Sequence, residues 1–447
     1  MAQAREIALS VLLRMEKDGS YSNLLLDTAL EKAALPRRDA ALATALVYGV
    51  IARRITLDYW LESAAKRPVE KMQPALRNLL RLGAYQLCFM DKIPARAAVN
   101  EAVQLTKKHH LGHATGFVNG VLRGLSRQVD NLPFPAPDAD NLHALEVQYS
   151  CPRALIVFWQ RAYGAARTLE ILQQINAVPP LAVRVNTLRT TSEALIAELT
   201  EQGVQAKLST VVPDALLLTH AADLRGLPAF SDGRFFVQDL ASQMACAVLD
   251  PQPGETVYDL CAAPGGKSFT MALRMNGKGT VRAFDLHSHR VRLIEEGAKR
   301  LGLSDIVEAT VRDASVQNID GQDATLPTGA ALPAADRVLC DVPCSGLGVI
   351  RRKPEIRYKN PETFDGLPDL QYHILCNGAA HLKPGGTVVY STCALNPAEN
   401  EAVVRRFLDG HPAFVSLPFP GAPTGSVTLF PQADGADGFF IAKLSRR

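Results

Sequence analysis

The sequence predicts an all-α domain, then a small α/β subdomain, and then a larger α/β domain with a doubly wound, Rossmann-like parallel sheet. Through the first 130 residues, apolar side chains recur at helical spacing with few strand signals between them. From Phe236 onward, short β-branched runs alternate with helical segments, which is typical of a doubly wound sheet. The 447 residues, 47% of them hydrophobic, are enough for two or three domains with their own cores.

The predicted all-α domain covers residues 1–130 and contains five or more helices. Its helical runs lie at residues 4–34 (broken by a turn at 18–20), 38–64, 74–89, 95–108 and 116–127. Up to Asp130 there are 19 Lys and Arg against 12 Asp and Glu, a formal charge of +7; the net charge of +3 leaves −4 for residues 131–447. This excess indicates either a contact with a polyanion or a set of solvated helix faces.

The middle of the chain is predicted to contain a linker and a small subdomain. Residues 131–141 are Pro-rich and polar, as expected for a linker. Residues 142–235 then form a helical connector around Trp159 and an α/β unit with strands near 181–187, 206 and 216 and a helix near 191–202. An open sheet in such a unit commonly offers a face to single-stranded RNA, and the alternative is a packing subdomain without a ligand.

The third predicted domain covers residues 236–447. Its strand-like runs lie at residues 256–260, 280–285, 306–312, 337–341 and 387–391, with closing strands at 413–417 and 438–444.

Two of these strands lead into cysteines. Asp341 ends one strand and Cys344 lies three residues beyond it, while Cys393 comes at the end of the run at 387–391. Ligands of open α/β sheets bind beyond the carboxyl ends of the strands, so these residues are predicted to lie at the mouth of a site. For the segment around Cys344 alone, a strand-ending turn with an incidental cysteine is an equally good interpretation. The Asn396-Pro397 pair is predicted to open the next helix.

A further strand, turn and helix point to a cofactor. The turn contains small residues that let a ligand approach the backbone, namely Cys261, Ala262, Ala263, Pro264, Gly265, Gly266 and Lys267. A Walker A loop would need glycine at position 261, and the dinucleotide pattern G-x-G-x-x-G is absent. The remaining familiar option is a loop that binds S-adenosyl-L-methionine.

Two more strand-end carboxylates support that option. Asp285 ends the second strand, where it can accept hydrogen bonds from ribose hydroxyls, and Asp313 follows the third, where it can face the adenine edge. Either one alone is often only a helix cap.

The cysteine pattern and the hydropathy of the sequence indicate the cellular compartment of the protein. None of the eight cysteines forms a C-x-x-C pair, which argues against a structural zinc site, and no metal is predicted. No stretch reads as a signal peptide or a membrane span. We therefore expect a cytoplasmic protein with free thiols and no membrane contact.

The motifs resemble two known families. Segments 82–87, 94–102 and 117–123 resemble the NusB family of helical RNA-binding domains. Segments 261–267, 341–346, 391–393 and 396–401, with 184–187 and 237–242 upstream, resemble RNA cytosine-C5 methyltransferases. The whole arrangement is similar to the bacterial RsmB/Sun/Fmu family, whose members modify 16S ribosomal RNA. Val342 and Ser268 are small departures from its pattern.

The resemblance implies a NusB-like RNA-binding domain, a class I methyltransferase fold, and S-adenosyl-L-methionine with S-adenosyl-L-homocysteine as product. It implies that Cys393 attacks carbon 6 of an unpaired cytidine in 16S rRNA or an early small-subunit particle, and that Cys344 assists breakdown of the adduct. Asp341 is expected near N3 and the exocyclic amine of the base, or near the methionine end of the cofactor. The strand-end position permits both.

A basic segment follows the Cys344 turn. Its cations are predicted to hold RNA phosphates, with a solvated loop as the alternative, and they are Arg351, Arg352, Lys353, Arg357 and Lys359. The same reaction on transfer RNA, or a non-catalytic NusB-like RNA-binding factor, are the competing functions. A DNA cytosine methylase is disfavoured because that family relies on the Pro-Cys thiol and lacks the Thr-Cys thiol. We expect a monomer.

Overall fold

The computed structural model describes residues 2–18, 22–136, 142–219, 224–316, 332–432 and 435–447. The chain forms two compact units, one of Met1–Ala177 with Ile350–Pro361, and one of Val178–Val349 with Glu362–Arg447. Residues 137–141 of the predicted linker, and positions 19 and 20 of the first predicted turn, lie outside the described residues.

The described part of the first unit is all-α, as predicted. Its helices are α1 (Ala2–Asp18), α2 (Ser22–Ala33), α3 (Arg37–Ala52), α4 (Arg54–Ala65), α5 (Pro74–Phe89), α6 (Ala95–Lys108), α7 (Thr115–Ser126), α8 (Leu142–Tyr149) and α9 (Arg153–Gln174). The run predicted at 38–64 is two helices, α3 and α4, which are bent by 80°. They are separate because Arg53 leaves the helical conformation, with φ −112° and ψ 13°.

One hydrophobic core holds the first seven helices together. It is built from fully buried side chains such as Leu9 of α1, Leu46 of α3, Leu79 of α5 and Leu122 of α7. Within the described residues, no single helix is both long and apolar enough to span a bilayer, and the bent pair α3–α4 meets that test of length and composition only when taken together.

Helices α8 and α9 belong to this unit, although the sequence analysis grouped residues 142–177 with the small α/β subdomain. The Thr56 hydroxyl of α4 donates to the Val147 carbonyl (2.6 Å), and the Ile55 amide donates to Ser150 Oγ (3.0 Å). These buried hydrogen bonds, made across about 90 residues of sequence, fasten α8 to α4.

The second unit begins with a small antiparallel sheet. Its strands are β1 (Leu181–Val185), β2 (Gln205–Leu208), β3 (Ala215–Thr219) and β4 (Phe235–Val237), in the order β2-β3-β1-β4, and its helices are α10 (Ser192–Glu201) and α11 (Pro228–Ser231). Val183 and Leu216 pack on α10, while Ala182 and Leu217 pack on Leu240 of the next helix. Both faces are covered around β1 and β3, so the expectation of an open RNA-binding face is wrong there.

The large sheet of the second unit carries the predicted doubly wound fold. Its strands are β5 (Thr256–Asp259), β6 (Thr280–Asp285), β7 (Val307–Val311), β8 (Ala335–Asp341), β9 (Leu382–Thr392), β10 (Phe414–Ser416), β11 (Ser426–Leu429) and β12 (Phe439–Arg446). The order is β10-β12-β9-β8-β5-β6-β7, with β11 paired to β12. The sheet is parallel from β9 to β7, whereas β12 runs antiparallel to β9 and carries β10 and β11 at its side. The short strand β11 was not predicted.

Helices cover both faces of this sheet. One apolar core joins it to α12 (Leu240–Leu249), α13 (Gly266–Arg274) and α14 (Ser288–Leu301), and another joins it to α15 (Leu367–Ala380) and α16 (Glu401–Gly410). The chain winds outward through β5, β6 and β7 and returns to β8 on the other side of β5. This reversal is the switch point at which open α/β sheets bind ligands.

Candidate active site

Two half-buried thiols meet at the carboxyl ends of neighbouring strands. Cys344 Sγ lies 3.2 Å from Cys393 Sγ, within reach of a hydrogen bond between the two sulfurs. The strands β8 and β9 bring them together because Asp341 is the parallel partner of Ser391. The hydrogen bond to Cys393 and burial raise the pKa of Cys344 well above its ordinary value. Cys344 therefore keeps its proton and can donate it to the sulfur of Cys393.

The loop that carries Cys344 is fastened by two buried side chains. Glu399 Oε2 accepts hydrogen bonds from the Ser345 amide (2.8 Å) and from Gln371 Nε2 (2.9 Å), and Gln371 Nε2 also donates to the Pro343 carbonyl (2.9 Å). Glu399 and Gln371 are fully buried. Neither Glu399 nor Gln371 was predicted to belong to the site, because their partners are far away in sequence.

A turn follows Cys393 where a helix start was predicted. Helix α16 begins at Glu401, and the prediction of its start at Asn396-Pro397 is wrong. The Asn396 side chain accepts from the Ala398 amide (3.1 Å) and donates to Glu399 Oε1 (2.9 Å), so these residues form a turn that fixes Glu399. The Gly348 amide donates to the Cys393 carbonyl (2.9 Å), which ties the two cysteine loops together.

Asp341 forms a charged pair beside the thiols. Lys267 Nζ lies 2.7 Å from Asp341 Oδ2, and the Ser391 hydroxyl donates to Asp341 Oδ1 (2.7 Å). Burial alone would lower the pKa of Lys267, but the charge and hydrogen bond of Asp341 raise it above its ordinary value. Lys267 is therefore a permanent cation in this site. Its sequence position had indicated only the cofactor loop.

Asp259, at the end of β5, is fully buried beneath the same loop. Its Oδ2 accepts from the Ser268 hydroxyl (2.6 Å), whereas its Oδ1 has no hydrogen-bond partner among the described residues. Burial raises the pKa of Asp259 to about 7. A buried carboxylate oxygen without a hydrogen-bond partner is costly while it is ionised.

A cleft of about 310 Å³ opens at the ends of β6 and β7. It is lined by Leu260, Cys261, Asp285, Leu286, His287, Arg290, Arg312, Asp313, Ala314, Ser315, Pro343, Leu370 and Ile374. Asp285 accepts from the amides of Ala263 (3.2 Å) and His287 (3.3 Å), which hold its carboxylate at the cleft wall. Asp313 accepts from the Ser315 amide (2.8 Å) and hydroxyl (2.6 Å), so it caps its own turn while it lines the cleft.

The loop at Ala262–Lys267 runs beside this cleft into α13. Gly265 has φ +103°, and a Cβ there would lie 2.4 Å from the Phe269 ring, so only glycine fits. Cys261, Asp285 and Asp313 line the cleft directly, whereas Lys267 turns to Asp341. The two carboxylates of the cleft wall, Asp285 and Asp313, and the neighbouring loop of small residues fit an adenosyl cofactor.

Comparisons with known proteins assign the chain to a family. The model described as 16S rRNA methyltransferase RsmB/F matches residues 246–445, the NusB family matches 2–127, and a ferredoxin-like domain of RsmF/B-like methyltransferases matches 151–225. Probable ribosomal RNA small subunit methyltransferase B of Bacillus subtilis is 37% identical over 99% of this chain and 98% of the relative. The chain belongs to the RsmB/F family. The protein of the same name from Synechocystis sp. is 38% identical over the full length of both chains.

Solved structures agree with the RsmB/F assignment. The crystal structure of PH0851 aligns with a TM-score of 0.79 and 28% identity, covering 98% of both chains. That of a methyltransferase homolog protein from Pyrococcus horikoshii aligns with a TM-score of 0.59 and 27% identity, covering 69% of this chain and 99% of the other. The fold class predicted from the sequence is thereby confirmed.

One basic residue of this RsmB/F family member has a structural position that excludes its predicted role. Arg357 is 1% exposed, and its guanidinium donates to the carbonyls of Ala52 (2.9 Å), Ser150 (3.0 Å) and Ile175 (3.1 Å) and to Asn176 Oδ1 (3.0 Å). These carbonyls lie at or just beyond the ends of α3, α8 and α9, where partial negative charge collects. The prediction that Arg357 holds RNA phosphate is wrong, because its side chain is buried and both of its terminal nitrogens donate inside the first unit.

The other cations of this segment, Arg351, Arg352, Lys353 and Lys359, also belong to Ile350–Pro361 and so to the first unit. Their contact with RNA stays a prediction. Sequence reasoning could not separate Arg357 from them, because its partners lie 181 to 305 residues away.

Proposed function

We propose that this protein methylates carbon 5 of an unpaired cytidine in 16S rRNA, using S-adenosyl-L-methionine and a transient bond between Cys393 and carbon 6 of the base. The observation that carries the proposal is the pair of thiols 3.2 Å apart at the adjoining ends of β8 and β9. An early small-subunit particle is an equally suitable form of the substrate. The protein acts as a monomer in the cytoplasm.

A thiolate overcomes the main chemical difficulty of this reaction, which is the low reactivity of carbon 5. Carbon 5 of cytosine is a poor nucleophile, and addition of a thiolate at carbon 6 moves the electrons of the 5,6 double bond onto carbon 5. Cys393 forms this bond as the thiolate. Carbon 5 then gains the methyl group and loses its proton to a base, and the bond from sulfur to carbon 6 breaks as the double bond returns.

Cys344 is the group suited to assist the last step. Its pKa is raised by the hydrogen bond to Cys393 and by burial, so its thiol donates to the neighbouring sulfur. A thiol whose sulfur lies 3.2 Å from Cys393 Sγ can give its proton to that sulfur as it leaves carbon 6. The backbone contacts of Ser345 and Pro343 to the Glu399–Gln371 pair hold Cys344 at this distance.

The cofactor would be held in the cleft at the ends of β6 and β7. Asp285 and Asp313 are suited to the ribose hydroxyls and the adenine, and the loop Cys261–Lys267 to the remainder of the molecule. Bound S-adenosyl-L-methionine supplies the methyl group and leaves as S-adenosyl-L-homocysteine. Asp341, held by Lys267 and Ser391, keeps lone pairs for the exocyclic amine of the base or for the methionine end of the cofactor.

The target cytidine must be unpaired or flipped out of its stack, because carbon 6 cannot be reached inside a helix. Arg351, Arg352 and Lys353 are suited to phosphates of the RNA.

The decisive experiment is methyl transfer from labelled cofactor to ribosomal RNA transcribed in vitro and to small-subunit particles, followed by nucleoside analysis. We expect label only in 5-methylcytidine, at one position that bisulfite mapping also finds in cells with the protein and not in cells without it. If only transfer RNA were labelled, the substrate would be transfer RNA and the assignment to 16S rRNA would be wrong. Label on another base or atom, or no transfer to any RNA, would overturn the proposal.

A further inference from the structure

The two thiols of the candidate active site are close enough to become a disulfide. Cys344 Sγ and Cys393 Sγ lie 3.2 Å apart, and both side chains are only half-buried, so a small oxidant can reach them. The sulfurs of a disulfide are about 2 Å apart, so an approach of about 1.2 Å would join this pair. Their loops leave neighbouring strands, and neighbouring strands lie about 4.8 Å apart, a spacing that a disulfide can span.

The backbone around the pair keeps the two sulfurs together. The Gly348 amide donates to the Cys393 carbonyl (2.9 Å), and the Ser345 amide donates to the buried carboxylate of Glu399 (2.8 Å). A Cβ added at Gly348 would lie 2.9 Å from the same Cys393 carbonyl oxygen, so the two loops are tightly packed against each other. Because the main chains are fastened, a reaction between the two thiols has the advantage of an intramolecular reaction over one with any other molecule.

The other six cysteines of the chain are poor targets for an oxidant. Peroxides react with thiolates, and burial raises the pKa of each of these six groups, so they stay protonated. They are Cys88, Cys151, Cys246, Cys261, Cys340 and Cys376. Cys344 also keeps its proton, whereas Cys393 acts as a thiolate in the proposed reaction. Oxidation should therefore begin at Cys393, with Cys344 beside it to complete the reaction.

We propose that Cys344 and Cys393 form a site of reversible oxidation, at which a hydroperoxide converts the two thiols into a disulfide and a dithiol restores them. With hydrogen peroxide, the Cys393 thiolate attacks one oxygen atom. The sulfur–oxygen bond forms, the oxygen–oxygen bond breaks, and the departing hydroxide takes up the proton that Cys393 had released. The Cys344 sulfur then attacks the sulfenic acid at Cys393, and the second hydroxide leaves as water with the Cys344 proton. The sulfurs lose two electrons, and hydrogen peroxide becomes two molecules of water.

The disulfide makes the protein inactive until it is reduced. It occupies the sulfur that bonds to carbon 6 in the proposed function and the sulfur that gives it a proton. Because the second thiol is adjacent, disulfide formation competes with further oxidation of Cys393 to a sulfinic acid, which is irreversible. Cytosolic disulfides are usually transient, as this one is. The loss of methylation rests on the proposed function, whereas the formation of the disulfide does not.

The first test treats the reduced, full-length protein with rising concentrations of hydrogen peroxide. Tryptic peptides are mapped without reduction and are fragmented, because Cys340 shares a peptide with Cys344 and Cys376 shares one with Cys393. We expect a crosslink between Cys344 and Cys393, and the number of free thiols should fall by two from eight. The matched control, Cys88→Ala, should form the same crosslink at the same concentration. Oxidation of any other cysteine before this pair, or a pair that stays reduced, would overturn the proposal.

The second test asks whether Cys344 protects Cys393. In Cys344→Ala no disulfide can form at this site, so prolonged treatment with peroxide should add two oxygen atoms to Cys393 and give a sulfinic acid that dithiothreitol does not reduce. In the wild type, dithiothreitol should restore both thiols after the same treatment. Equal amounts of sulfinic acid at Cys393 in the two proteins would show that Cys344 does not react with the sulfenic acid, and the proposal would be wrong.

The inference and the proposed function fail in different ways. Peptide mapping needs neither RNA nor cofactor, so a crosslink in a protein that methylates no RNA would overturn the proposed function alone. If the wild type methylates 16S rRNA, we expect the crosslink to reduce methyl transfer at least about tenfold and dithiothreitol to restore it. Methylation by a protein whose pair stays reduced in peroxide would overturn this inference alone. Undiminished methylation by fully crosslinked protein would overturn both the inactivation and the role of Cys393.

Discussion

Two clusters at the same edge of the large sheet are held in opposite ways. In the thiol cluster, Cys344 and Cys393, the two sulfurs lie 3.2 Å apart while their loops are fastened through Glu399 and Gly348. In the carboxylate cluster, Asp259, Lys267 and Asp341, the side chains themselves are tied to one another or buried. In the thiol cluster, the sulfur atoms are positioned by their loops and contribute little to stability. In the carboxylate cluster, the charged side chains themselves stabilise the structure. Substitutions in the two clusters should therefore have different consequences.

The largest expected effect is that of Cys393→Ala. We expect methyl transfer to fall by at least about 10³-fold, because the proposal makes the Cys393 thiolate the group that bonds to carbon 6. The free energy of unfolding should change by less than about 1 kcal/mol, since the carbonyl of Cys393, not its side chain, accepts the hydrogen bond from Gly348 that ties the two cysteine loops together. Transfer of labelled methyl groups and urea unfolding check both parts.

The control for this variant is Cys88→Ala, which removes a half-buried thiol of the first unit and should keep full activity. Normal turnover by Cys393→Ala would show that another residue is the nucleophile.

Cys344→Ala should distinguish the roles of the two thiols in the reaction. Without the proton donor beside Cys393, the bond from sulfur to carbon 6 breaks slowly, and we expect a protein–RNA adduct to accumulate on denaturing gels during turnover. The double variant Cys344→Ala with Cys393→Ala should show no adduct. Fast turnover without an adduct in Cys344→Ala would remove Cys344 from the reaction.

Local sequence pattern predicted members of both the thiol and the carboxylate cluster. Cys344, Cys393 and Asp341 follow short apolar runs, and local pattern was enough to place them at strand ends. The same holds for Asp285 and Asp313.

Local sequence pattern could not predict which buried side chains hold these loops and helices in place. Glu399 was assigned to the first turn of a helix, but it lies in a turn and binds the Ser345 amide, 54 residues earlier. Arg357 was predicted to hold RNA phosphate with its neighbouring cations, but it donates to carbonyls at the ends of three helices. Both errors have one cause: the residue type was right for its local segment, and the partner that decides its role comes from distant sequence.

The free energy of unfolding of Lys267→Met tests whether the Lys267–Asp341 pair stabilises the structure. It leaves Asp341 partly buried without its cation, and we expect a loss of about 2 kcal/mol, reduced from the value for a fully buried pair because both side chains are slightly exposed. Lys267→Arg should recover much of this loss. If urea unfolding of Lys267→Met matched that of the wild type, the pair would not support the structure.

The effect of Asp259 on stability depends on pH. Burial raises its pKa from 3.8 to about 7, so the folded protein keeps a proton that the unfolded chain has already released. The contribution of Asp259 to stability is thus fully present below pH 4 and declines as pH rises to 7, by up to about 4 kcal/mol. Asp259→Asn cannot lose a proton, so it should be more stable than the wild type at pH 8 and close to it at pH 4. The exposed Asp305→Asn should show no such difference between the two pH values, and the same flat result for Asp259→Asn would mean that this carboxyl is ionised in the folded protein.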